Sequence, residues 1–236
     1  MLILNIFVLG SCSAKKKFKR LDITCEVIDK LGRERLIERE DLKNMVLPAR
    51  DMYLGGQHIY TVRAIEILRS IPSVSYVDFY ILSAGFGLLE EHTLIPPYEC
   101  TFGAMSREEI RSRSKKLGIE EKLLQIFEKK TYDVCFFLLG VKYLIAIEEA
   151  LKSFPDNTLY YFYVSRGGSK IVPKKENFVS ILVDKFKVKG LHVSRFEVKG
   201  FLFYNLAEKL LKQRNKIEEL LKNPFNLMKL QLVGIL

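Results

Sequence analysis

The sequence predicts an α/β fold: a mainly parallel sheet with helices on both faces, Rossmann-like in layout. Short runs dominated by apolar residues, Leu2–Leu9, Val77–Leu82, Val134–Leu139 and Leu159–Val164, have the composition of strands covered on both sides. The segments between them carry apolar residues at helical spacing. Strand and helix patterns alternate without an internal repeat, the order expected of a sheet built through helical crossovers.

Leu2–Leu9 ends at Gly10 and Ser11 and feeds the basic loop SCSAKKKFKR. Thr24–Ile28 reads as a short strand, and Glu34–Met45 as a helix on the spacing of Leu36, Ile37 and Leu42. After PARDMYLGGQ, the residues Ile59, Val62, Ala64, Ile65 and Leu68 make a helix face that stops near Ser70, ahead of Pro72. Val77–Leu82 gives way at Ser83 to a long loop reaching Phe102. Ser106 and Glu109 form a Ser-x-x-Glu capping pattern for the next helix, and a second helix, Glu120–Glu128, follows Gly118. Val134–Leu139 leads through Gly140 into a helix with Leu144, Ile147 and Leu151 inward. Leu159–Val164 precedes SRGGSK; Asn177–Phe186 reads as helix and Leu191–Val198 as strand. Asn205–Leu221 reads as a helix with Leu206, Leu210, Ile217 and Leu221 on one side. One α/β domain over 1–200, with an amphipathic helix over 201–236 packed on it, accounts for the chain.

Its 236 residues are 48% hydrophobic and 28% charged, near the average of globular proteins, which argues against disorder. MLILNIFVLG is too brief to span a membrane and lacks the charged start of a signal peptide, so a cytoplasmic, non-membrane protein is expected. The net charge of +10 favours an anionic partner, with nucleic acid or a nucleotide the leading candidate; a solvated lysine-rich surface is the alternative. Cys12, Cys25, Cys100 and Cys135 form no Cys-x-x-Cys pair, and His58, His92 and His192 have no metal-ligand spacing, so no metal site is expected. Cys135 reads as a buried apolar residue; Cys12 and Cys100, in loops, are the thiols of interest.

Every unusual segment follows a predicted strand, and ligands of open parallel sheets bind outside the carboxyl ends of the strands. The candidate binding residues are therefore Cys12 and Ser13 after the first strand, and Ser83, Gly85 and Gly87 after the second. Gly140 and Lys142 follow the third, and Ser165, Arg166, Gly167 and Gly168 the fourth. The glycine pair of SRGGSK, flanked by cations, suits a phosphate or an ordinary turn, and is not a Walker loop. In the loop before Phe102, Pro96 and Pro97 brace Tyr98, Glu99 and Thr101, which suit a planar ligand: a ring to stack, a carboxylate and a hydroxyl to hydrogen-bond. Lys15, Lys16 and Lys17 either grip phosphate or form a solvated surface; alternatively one of them is a nucleophile with its pKa depressed by like charge. Lys16 and Glu99 are the candidate catalytic pair. Glu90, Glu91 and His92 read as exposed, and Lys209, Lys212, Arg214 and Lys216 line the outer side of the last helix.

LSAGFGLLEEHTLIPPYECTF resembles a block of the YaaA-like peroxide-stress proteins and of a related uncharacterised prokaryotic family, and CSAKK, PARDMY and LLGVKYL resemble pieces of the uncharacterised family in the same order. CSAKK is also similar to a Cys-x-x-x-Lys block of archaeosine synthase, a resemblance that implies lysine chemistry on a deazaguanine base and falls on Lys16. The block's following Pro-Tyr is Lys17-Phe18 here. Together the resemblances imply an enzyme acting on a nucleobase or nucleic acid, by base modification or glycosidic-bond chemistry. The alternatives are a non-catalytic DNA-binding stress-response protein and a small-nucleotide sensor. The sequence fixes neither a cofactor nor an oligomeric state.

Overall fold

A computed structural model describes residues 3–183 and 193–213. In chain order, β1 (Leu4–Ser11) leads to α1 (Cys25–Glu38), a 3-10 turn (Lys43–Met45), β2 (Leu47–Pro48), α2 (Ala49–Met52) and α3 (Gly56–Arg69). Next come β3 (Val74–Ser83), β4 (Gly87–Glu90), β5 (Leu94–Ile95), a 3-10 turn (Phe102–Ala104), α4 (Arg107–Lys116), α5 (Ile119–Lys129) and β6 (Val134–Leu138). The remainder is α6 (Val141–Ile145), a 3-10 turn (Ala150–Ser153), β7 (Leu159–Val164), α7 (Arg166–Ser169), β8 (Phe178–Leu182) and α8 (Val198–Lys212).

The main sheet has six strands in the order β4-β3-β1-β6-β7-β8, parallel throughout except for β4, and β2 pairs with β5 separately. All of β6 is buried. Since successive strand residues point to opposite faces, both faces are covered: Phe136 packs on Phe203 of α8, and Phe137 on Phe154. The chain builds the sheet outward from β1 through β3 and β4, then returns to β1's other side to add β6, β7 and β8. The direction of growth thus reverses between β1 and β6.

Several elements differ from the sequence reading, each for a local reason. Thr24 starts a helix instead of a strand, because its hydroxyl accepts the Val27 N–H. The helix read over 34–45 stops at Glu38, and a 3-10 turn follows. The long loop after Ser83 begins as a hairpin: β4 folds back on β3 through a turn over residues 84–86 and enters at Gly87 with φ +73, a conformation that favours glycine. The helix read over 177–186 is instead the edge strand β8; FVSIL alternates partly and fully buried positions while pairing parallel with β7. Leu191–Val198 begins outside the described residues; Ser194–Glu197 is a turn, and α8 starts at Val198. The boundary drawn at residue 200 falls inside α8, whose Leu202, Phe203, Leu206 and Leu210 are buried. Arg214, Lys216, Ile217 and Leu221 lie outside the described residues. The capping box of Ser106 and Glu109 is present. Among the described residues no helix is long and apolar enough to cross a membrane.

Candidate functional site

A cleft of about 420 Å3 opens beyond the carboxyl ends of β1 and β6. Its walls are Ser11–Lys15 after β1, Gly140 and Tyr143 after β6, Gly55–His58 at the start of α3, and Ser194–Glu197 with Lys199 at the start of α8. The leading amides of a helix have no acceptor within it, so the first turn of α3 presents donors here. Close backbone approach shapes this wall. A Cβ on Gly55 would stand 2.6 Å from the Ser13 Cβ, and one on Gly56 2.0 Å from the Glu197 carboxylate. The Ser13 hydroxyl accepts the Gly55 N–H and donates to the Lys15 carbonyl. The Gln57 side-chain amide donates to the Leu138 carbonyl at 2.8 Å, holding α3 to the end of β6.

Behind the cleft wall lies a layer of hydroxyl groups. Cys12, nearly buried, lines the cleft, and its thiol is 3.0 Å from the Tyr143 hydroxyl. Ser83, at the end of β3, accepts the amides of Gly85 and Phe86. With both lone pairs so used, its proton goes to the Tyr98 hydroxyl at 2.7 Å. Tyr98 meets Tyr53 at 2.7 Å in turn. Burial is the main reason that Tyr53, Tyr98 and Tyr143 hold their protons well above the ordinary phenol range, so all are neutral near pH 7. The Lys16 ammonium sits over the Tyr98 ring, 4.4 Å from its centroid, while the Lys16 backbone bridges to Tyr53. Burial lowers the Lys16 pKa, and the nearby charges of Cys12 and Glu99 partly oppose that shift.

The predicted residues therefore divide. Cys12, Ser13 and Gly140 line the cleft, and Lys16, Ser83 and Tyr98 form the layer behind it. Glu99 is exposed; its amide bonds the Ile23 carbonyl, and its carboxylate acts on Lys16 through its charge. Thr101 caps the turn that follows it. Gly85 contributes space: a Cβ there would stand 2.7 Å from the Tyr98 ring. It lines a separate cleft with Phe86 and Arg33, while Gly87 faces Leu117 and Ile119. Lys142 reaches the Met105 carbonyl. Arg166, Gly167 and Gly168 lie in α7 and Ser165 caps it, its hydroxyl accepting the Gly168 N–H, and a Cβ on Gly168 would press on Leu144 and Val164 at 3.1 Å. That glycine lets α7 pack on α6, and none of the four lines the main cleft.

Two expectations are corrected. Cys100 is not a free thiol: it is joined by a disulfide to Cys25, a pairing that the sequence separation of 75 residues conceals. Glu91 is buried, not exposed, because Arg50 and Arg69 both bond its carboxylate. Among the described residues, no group of three or more His, Cys, Asp or Glu is arranged to hold a metal.

Residues 40–160 match the model of a family of unknown function, DUF6884, over just over half of the chain. The chain belongs to the DUF6884 family. A search of curated proteins finds no match. The DUF6884 region carries Tyr53, the α3 wall, Ser83, Tyr98, Gly140 and Tyr143, whereas Cys12, Lys16 and the α8 wall lie outside it.

Sequence reasoning missed Tyr53, Tyr143, the Gly55–His58 turn and the 194–199 wall. The signal for the turn was Gly-Gly directly before a helical pattern. His58 is buried and its Nε2 donates to the Arg50 carbonyl at 2.8 Å. Burial lowers its folded-state pKa below the ordinary 6.5, so the unfolded chain takes up the proton first as pH falls. Its contribution is favourable above about pH 6.5 and is lost progressively below it. Urea midpoints should fall between pH 7.5 and 5.5, and less so in His58→Gln.

Proposed function

We propose that this DUF6884 protein binds a nucleotide-sized anionic ligand in the cleft beyond β1 and β6, and acts on its base or glycosidic bond. The observation that carries the reading is the cleft's place at the carboxyl ends of the two strands between which sheet growth reverses, where open α/β sheets bind ligands. Its volume suits a small molecule. Lys15, Arg195 and Lys199 outnumber Glu197 on its walls, and the first turn of α3 adds amide donors for phosphate. The net charge of +10 favours the same class of ligand, including its polymeric form.

Cys12 and Tyr143 are the groups that face such a ligand, and Lys16 with Tyr98 stands behind them, where the ammonium acts through its charge and its proton rather than by direct attack. Glu99 tunes Lys16 through its charge. The resemblance of CSAKK to a block of archaeosine synthase, which falls on Lys16, supports a base as the group acted on. Calorimetry with 5′-mononucleotides and short oligonucleotides tests it. Binding should weaken as salt rises, and Lys15→Glu should weaken it about ten-fold through reversed charge. Lys16→Arg should retain binding but abolish release or modification of the base, followed by chromatography. If neither mononucleotide nor oligonucleotide binds at low salt, the reading fails.

A further inference from the structure

At the mouth of the cleft, Phe196 is 89% exposed. Leaving a phenylalanine in water forfeits about 1.5–3 kcal/mol of burial, and exposed apolar side chains are individually common. The position of this one sets it apart. The Ser194 N–H donates to the Glu197 carboxylate at 2.9 Å, and the Glu197 N–H donates to the Ser194 carbonyl at 3.0 Å. The Glu197 side chain lies against Gly56, and the Lys199 ammonium donates to the Leu139 carbonyl at 2.7 Å. The turn that carries Phe196 is thus tied to both α3 and the end of β6. Its neighbour Arg195 also lines the cleft. An exposed apolar ring thus shares the lining of one cleft with the cations Lys15, Arg195 and Lys199.

We propose that Phe196 is the stacking surface for the planar ring of the ligand and selects nucleotides over other phosphorylated compounds. The inference rests on the cleft being the ligand site. A ring bearing no donor or acceptor stacks on any base with little sequence preference, so the selection is for a base as such and not for one base over another. Stacking and phosphate capture then act at opposite ends of one ligand.

The chain contains no tryptophan, so Phe196→Trp introduces a single reporter at the proposed contact. Its fluorescence should be quenched on titration with adenosine 5′-monophosphate and unchanged with ribose 5-phosphate. In calorimetry, Phe196→Ala should lower mononucleotide affinity about ten-fold, within the range for loss of one base–aromatic stack, and leave ribose 5-phosphate affinity unchanged. Phe196→Trp should bind the nucleotide at least as well as the native chain. Equal nucleotide affinity in Phe196→Ala and the native protein overturns the proposal, as does an equal loss for both ligands. Native protein that binds ribose 5-phosphate as tightly as the nucleotide overturns the stacking role while leaving the cleft as a phosphate site. Native protein that binds neither removes the cleft reading and the stacking role together.

Discussion

Gly200→Ala is expected to destabilise the protein by about 2 kcal/mol and to weaken ligand binding, although alanine is the better helix former by about 1 kcal/mol. The two effects oppose each other, and geometry decides between them. A Cβ at position 200 would stand 2.2 Å from the Gln57 carbonyl oxygen and 2.9 Å from that residue's Cα and carbonyl carbon. These are backbone atoms, which cannot swing aside as a long side chain can. α8 would have to move off α3, the helix with which it packs through Tyr60, Phe201 and Tyr204. Because Ser194–Glu197 leads into α8, that movement also displaces the cleft wall bearing Arg195 and Phe196. Urea unfolding and nucleotide titration of the same variant measure both consequences. Gly167→Ala, where the nearest atoms are at 3.6 Å or beyond, provides the control and should change stability little.

Tyr98→Ala should have the larger effect on stability, about 4 kcal/mol, because it combines three losses. A fully buried ring disappears beside Gly85; Ser83 loses the acceptor for its proton; and the Tyr53 hydroxyl loses its partner. Tyr98→Phe separates the terms. It keeps the ring beneath the Lys16 ammonium and removes only the hydroxyl, so the expected cost falls to about 1–2 kcal/mol, that of buried groups left unpaired. Thermal or urea unfolding distinguishes the pair. Equal stability of the two variants would mean that the hydroxyl connections, rather than ring packing, dominate.

The framework was legible because its central strands announce themselves: VCFFL and LYYFYV are apolar wherever they turn, as strands buried on both faces must be. The edge strand FVSIL was read as helix because an alternation of only five residues is too short to separate the two periods. Thr24 was ambiguous for a related reason, since its N-cap role appears only once its hydroxyl meets the Val27 amide. Placement after strand ends found Cys12, Ser13 and Gly140, but could not tell which strands adjoin. β7 is not beside β1 in the sheet, and the segment after it packs on α6 instead of reaching the cleft. Tyr53 and Phe196 carry no local signature, since their positions depend on contacts between segments remote in sequence. The Cys25–Cys100 disulfide belongs to the same class: the pairing is set by the bridge between Thr24 and Glu99, not by spacing.

The most direct test of the central claim is electron density from crystals grown or soaked with a 5′-mononucleotide. The phosphate should lie beside Lys15 and the first turn of α3, with the base toward Phe196 and Cys12 within reach of the sugar or base. Nucleotide density elsewhere, for instance in the separate cleft beside Gly85 and Arg33, with the β1–β6 crevice holding only solvent, would contradict the account.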